Sequence, residues 1–315
     1  MRKFLKYILA VFLCAALAAC GTTDSKEEAE TSEKSLSIVA TIFPAYDWVR
    51  EILGGNPGNV QLTFLLDSGT DMHSYQPTAA DMVKIAECDL FVYTGGESDS
   101  WTADAIRESV NPDLTPLSLM DVLSDSVREE EIIEGMQAEE EEEEAEYDEH
   151  VWLSLSRAEK AVETIAGVIA EKDPENAQTY RDNADAYIRK LEDLDNQYRE
   201  CVNNSEVRTL VFADRFPFRY LTDDYGIQYY AAFAGCSAET EASFETIRFL
   251  ASKMDELDLT RVMTIENSDE KIARTVIENT EKKDMKILHL DSMQSTDAKA
   301  VSAGATYLSL MRDNL

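Results

Sequence analysis

Residues 36–94 read LSIVATIFPAYDWVREILGGNPGNVQLTFLLDSGTDMHSYQPTAADMVKIAECDLFVYT, and the order of patterns in this stretch decides the fold. Three β-rich runs, Leu36–Ile42, Val60–Leu66 and Leu90–Thr94, are separated by segments with helical spacing. Phe43–Leu53 carries its apolar residues at that spacing and stops at Gly54-Gly55. Thr78-x-x-Asp81 has the form of a capping box opening a helix through Cys88. Gly95-Gly96 closes the third run, Trp101–Ser109 predicts another helix, and Leu114–Leu119 another short strand. Strands alternating with helices in this way mean βαβ units and a largely parallel sheet.

The same texture returns from Arg208 onward. Thr209–Ala213, Tyr229–Phe233, Arg261–Ile265 and Met285–Leu290 read as strands; Phe216–Tyr225, Ser243–Leu257, Asp269–Thr280 and Ala298–Asp313 read as helices. Between the halves, Ser156–Lys172 is amphipathic and Asp173-Pro174 breaks it. Glu175–Val202 then carries Tyr180, Ala184, Tyr187, Leu191, Leu194 and Tyr198 at three- and four-residue spacing. About 28 residues at 1.5 Å each make a rod of ~42 Å, long enough to link two lobes. The expected fold class is therefore α/β, two Rossmann-like lobes with mostly parallel sheets joined by one long α-helix. The expected boundaries are a lobe at 36–173, the linking helix at 174–203 and a second lobe at 207–315.

Composition narrows the partners. The chain has 315 residues, 44% of them hydrophobic, with a formal net charge of −33. That balance excludes nucleic acid, which needs a basic footprint, and favours cations. Residues 1–20 have a basic start (Arg2, Lys3, Lys6), an apolar core from Ile8 to Leu17, and then Leu17-Ala18-Ala19-Cys20. This is the form of a lipoprotein signal with Cys20 as the lipidated residue. Residues 21–35 read as a flexible tether. The chain is accordingly expected outside the cytoplasm, lipid-anchored at the outer face of a bacterial cytoplasmic membrane. Beyond Cys20, Cys88, Cys201 and Cys236 include no CxxC pair, and Cys201 with Cys236 is a candidate disulfide.

Residues 129–149 read EEEIIEGMQAEEEEEEAEYDE, a run expected to form a solvated acidic loop, and His150-Val151-Trp152-Leu153 follows. The chain has only three histidines, His73, His150 and His289. In open α/β sheets ligands gather beyond the carboxyl ends of strands. His73, Asp214, Glu266 and Asp291 each fall after a run read as a strand, and His150 follows the acidic loop. Imidazole and carboxylate from both lobes would make a mixed nitrogen and oxygen site for a divalent cation. Each residue has a plainer role available, a helix cap for the aspartates and a structural one for a lone histidine.

Two stretches carry a resemblance. Gly69–Asp81 (GTDMHSYQPTAAD) is similar to the first-histidine segment of the substrate-binding lipoproteins of zinc and manganese ABC transporters, and Asp148–Ser154 (DEHVWLS) resembles their second-histidine motif. The following CDLFVYTGGESDSW, the pattern through 173–191 and Leu288–Met293 resemble further parts of that family. The resemblance implies two α/β lobes bridged by a rigid helix, with His73 and His150 as ligands. The expected ligand is Zn2+ as cargo, with Mn2+ as the alternative. The implied partners are a permease and its ATPase, with no catalysis and a monomeric receptor. Where zinc members have a third histidine in a His-x-Ala-Phe-x-Tyr setting, this chain puts Arg215, and a guanidinium does not ligate. Asp214 is the candidate replacement, completing His73, His150, Asp214 and Asp291; alternatively it pairs with Arg215 or Arg219 and leaves a water on the metal. Glu266 is a reserve, equally suited to tying down Arg261 or a helix start. His289 shares strand parity with Asp291, although its place between Leu288 and Leu290 suits a buried structural residue. Glu139–Glu144 stand where many zinc members have a histidine-rich loop. A metallohydrolase would need a motif such as HExxH, which is missing, and a metal-binding adhesin is the remaining alternative.

Overall fold

The computed structural model describes residues 35–137, 147–237 and 241–315; the lipobox, most of the expected tether and Glu139–Glu144 lie outside them. Ser37–Ala40 (β1), Gln61–Phe64 (β2), Leu90–Tyr93 (β3) and Thr115–Ser118 (β4) form one sheet in the order β2-β1-β3-β4. Thr209–Phe216 (β5), Gln228–Ala234 (β6), Arg261–Ile265 (β7) and Lys286–Leu290 (β8) form a second in the order β6-β5-β7-β8. Every pairing within these sheets is parallel. The fold is thus α/β with two lobes of the same strand order. Each sheet reverses its direction of winding beside its first strand, and that switch opens a crevice at the carboxyl ends of the strands.

Helices connect the strands where the patterning predicts them. Phe43–Leu53 (α1) has Pro44 in its first turn, buries Phe43, Trp48, Val49 and Ile52, and ends at Gly54. Ala79–Glu87 (α2) opens with the complete Thr78–Asp81 capping box. Thr102–Arg107 (α3) and Leu119–Val122 (α4) finish the first half. Leu155–Lys172 (α5) and Ala177–Asn204 (α6) follow, and the buried stripe of α6 is Tyr180, Ala184, Tyr187, Leu191, Leu194 and Tyr198. Near its start, Asn183 of α6 donates to the Ile52 carbonyl at the end of α1. Farther along, Asp195 accepts from Tyr225 in Arg219–Tyr225 (α7), so one helix bears on both lobes. Phe244–Glu256 (α8) and Lys271–Asn279 (α9) cover one face of the second sheet.

The second sheet shows why its strands read as continuous apolar runs. Val211 and Ala213 of β5 face a core with Leu250, Met254 and Val276, while Phe212 between them joins the larger core of the first lobe. Both faces are buried, as a parallel sheet requires. Residues 35–315 form one compact unit. The C-terminal segment laces it: Tyr307 donates its N–H to Asp47 of α1 (2.7 Å) and its hydroxyl to the Trp152 carbonyl (2.6 Å).

Three expectations need correction. Ala298–Asp313 is two helices, Ala298–Ser302 (α10) and Tyr307–Asp313 (α11), because Gly304 at φ +102° breaks the run and Thr306 caps a new start. Strand β5 does not stop at Ala213 but continues through Asp214, Arg215 and Phe216 after a bulge between Phe212 and Arg215. The acidic run is not solvated throughout. Glu129 bridges to Tyr147, Gln137 N–H donates to the Ala232 carbonyl, and Asp148 and Glu149 are buried.

Candidate metal centre

His73 lies in a single helical turn, Met72–Ser74, in the loop after β2. Asp71 caps that turn, its carboxylate accepting the His73 backbone N–H at 3.0 Å. His150 is fully buried and leads into the Val151–Leu153 turn, whose three residues are all buried as well. Trp152 anchors this turn by donating its indole N–H to the Ser292 carbonyl at 2.8 Å. An apolar wedge therefore fixes the histidine that precedes it, which is why the sequence sets His150 against Val-Trp-Leu.

The two imidazoles meet edge to edge, with their Nε2 atoms 3.2 Å apart. Each ring is held from behind. His150 Nδ1 donates to Asp148 Oδ1 (2.9 Å), and His73 Nδ1 lies 2.6 Å from Ser98 Oγ. A ring that donates from Nδ1 presents its Nε2 lone pair to the front. Two lone pairs at 3.2 Å repel unless a proton or a cation sits between them. A tetrahedral zinc with bonds of 2.0–2.1 Å holds two nitrogens about 3.3 Å apart, so the spacing suits zinc as well as a shared proton.

The electrostatics assign the two rings opposite tendencies. Burial pulls His73 down to about 3, reinforced by positive charge on His150 and Arg215 against Asp71. Burial also disfavours charge on His150, yet Asp148, Glu149 and Glu130 outweigh it and the net direction is upward. A metal entering between the two rings would displace any proton held there. Glu149 supports the arrangement by accepting the Ser98 N–H at 2.8 Å. Gly96 lies against Glu149 at φ +121°, where a Cβ would come within 2.6 Å of Oε1.

Cys236 completes the cluster. Its sulfur and one nitrogen from each of His73 and His150 all lie within 4.8 Å of one another, the one such group of three among the described residues. Cys236 follows β6 and Gly235, where a Cβ would come within 3.0 Å of the His150 ring. Burial pushes the thiol well up, and Glu130, Asp148 and Glu149 push it further. Sequence reasoning offered Cys236 only as a bridge to Cys201; both are free thiols here. The available signal was a cysteine just past the carboxyl end of a strand, the same positional rule that singled out His73.

The remaining candidates are engaged elsewhere. Asp214 accepts from Ser268 Oγ (2.6 Å) and lines a cleft of about 350 Å³ with Asp71, Arg215 and Glu266. Arg215, in the position of the missing histidine, pairs with Asp71 at 2.6 Å. Glu266 accepts from the Ser292 N–H and hydroxyl, both at 2.7 Å, rather than tying down Arg261. Asp291 caps its own turn by accepting the Met293 N–H, and burial followed by the charge of Glu266 raises it to about 6. His289 is exposed, not buried between its leucines, and lies 3.2 Å from Glu270. Among the described residues the structure thus brings together His73 and His150 with Cys236, and leaves Asp214, Glu266, Asp291 and His289 out of that group.

The fold is a two-lobed α/β architecture with a pair of back-supported imidazoles set together in it. Residues 38–315 match the family model of the zinc-uptake complex component A, periplasmic, and the chain belongs to that family. It is similar to the zinc-binding lipoprotein AdcA of Streptococcus pneumoniae, 30% identical over 316 residues, covering 98% of this chain and 59% of that protein. It is also similar to the high-affinity zinc uptake system protein ZnuA of Bacillus subtilis, 29% identical over 318 residues, covering 98% of this chain and 93% of that one. The chain therefore spans little more than half the length of its pneumococcal relative. Among solved structures, the Zn(II)-bound ZnuA-like domain of S. pneumoniae AdcA superposes with a TM-score of 0.69 at 26% identity, covering 89% of this chain and 96% of that one.

Proposed function

We propose that this chain is the extracytoplasmic receptor of a zinc uptake system. It captures one zinc ion between His73 and His150 and delivers it to a membrane permease driven by an ATPase. The observation that carries this is the 3.2 Å gap between two Nε2 atoms whose opposite nitrogens are held by Asp148 and Ser98. The family assignment and the zinc named in its relatives support the cargo. The role is stoichiometric binding, without turnover. Lipidation at Cys20 would hold the receptor beside the permease, with 36–173 and 207–315 as lobes on the 174–203 helix. Among the described residues no helix is long and apolar enough to cross a membrane.

Calorimetric titration with zinc tests this. His73→Ala and His150→Ala should each lose most of the affinity, and unchanged isotherms for both would remove the assignment. Asp214→Ala and Asp291→Ala probe the two carboxylates expected from the sequence; their partners elsewhere lead us to expect small changes.

A further inference from the structure

We infer that Cys236 is the third zinc ligand, supplying a thiolate where the family motif calls for a histidine and this chain has Arg215. The inference rests on the zinc-capture reading above and deepens it. Three observations carry it. First, the sulfur shares a 4.8 Å sphere with one nitrogen from each histidine. A tetrahedral zinc with Zn–N near 2.05 Å and Zn–S near 2.3 Å sets sulfur and nitrogen about 3.6 Å apart, so an inward swing of roughly an ångström closes the site. Second, the backbone is prepared for it. Glu130 accepts the Cys236 N–H at 2.9 Å, and Gly235 leaves space for the His150 ring. Third, the position where a third imidazole is expected is closed to a metal by the Arg215–Asp71 ion pair.

The chemistry is a proton exchange. Zinc arrives as a dication, the S–H bond breaks, the Zn–S bond forms and the proton leaves to solvent. A thiolate is a soft ligand that suits zinc and disfavours manganese, so Cys236 also sets the choice of metal.

Cobalt(II) titration of the full chain tests the proposal, because a thiolate bound to cobalt gives an intense near-ultraviolet charge-transfer band that imidazole and carboxylate do not. The band should rise to one equivalent in the unmutated chain and in Cys201→Ser, and vanish in Cys236→Ser. Zinc affinity of Cys236→Ser should fall by more than the roughly 10–100-fold typical of losing an outer-shell partner. Tight cobalt binding by the unmutated chain with no such band would overturn the assignment, whatever the folding of the variant. So would unchanged zinc affinity in Cys236→Ser while His150→Ala loses it, and that pattern leaves the receptor reading standing. Unchanged affinity in both histidine variants would bring down the receptor reading and this inference together.

Discussion

Arg215 reaches from the second sheet to Asp71 in the first lobe, Nη2 to Oδ2 at 2.6 Å. The same aspartate caps the turn that carries His73. Burial alone would raise the Asp71 carboxyl, but the charge and hydrogen bond of Arg215 hold it below its usual range. A residue that cannot ligate thus fixes the loop of one that can. Arg215→Ala should cost about tenfold in zinc affinity, the lower end of the range for an outer-shell partner. Titration with an indicator-buffered zinc series would read it, and an unchanged constant would detach Arg215 from the site.

Asp148 orients His150 through its carboxylate, while its backbone carbonyl separately accepts from Tyr220. Asp148→Asn should therefore keep the fold and lose about 10–100-fold in zinc affinity. A melting temperature that falls along with the affinity would mean the carboxylate acts on the fold instead.

Asp99 gives a pH prediction. Burial raises it from 3.8 to about 6, against the lowering effect of the Thr94 and Gly95 N–H groups. The folded state holds this proton more tightly than the unfolded one. The stabilisation is complete below pH 3.8 and is lost as pH rises through about 6. At neutral pH the charged form costs on the order of 3 kcal/mol. Both N–H groups fall on one carboxylate oxygen, at 2.8 and 3.3 Å, which an asparagine can reproduce. Urea unfolding of Asp99→Asn should show its stability relative to the unmutated chain improving from pH 4 to pH 7. A difference that does not change with pH would refute the argument.

Tyr187 is buried on α6, with a hydroxyl that has no hydrogen-bond partner among the described residues. Removing an orphaned polar group relieves a desolvation cost of about 1–3 kcal/mol. Tyr187→Phe should melt at the same or a higher temperature by calorimetry, and a clear drop would imply a bound water at that hydroxyl.

Much of the fold was legible because parallel strands and amphipathic helices write themselves as local periodicities. The α6 stripe from Tyr180 to Tyr198 is the plainest case, since burial of one face dictates the spacing. His73 and His150 were legible through the motifs around them, and Val-Trp-Leu marks an anchored turn. The misses are tertiary. Asp214 and Arg215 read as a strand end because they are polar, yet the bulge carries β5 past them. Asp148 and Glu149 read as part of a solvated run, but the imidazole and Ser98 draw them inside. Cys236 follows β6 closely enough for the strand-end rule to mark it, but only the tertiary fold sets it beside His150.

X-ray absorption at the zinc edge, on the chain loaded with one equivalent of zinc, addresses the central claim most directly. The account predicts scattering from two imidazoles at about 2.0–2.1 Å, with one sulfur near 2.3 Å in the same shell. A shell of oxygen alone, without imidazole scattering, would contradict zinc capture by His73 and His150.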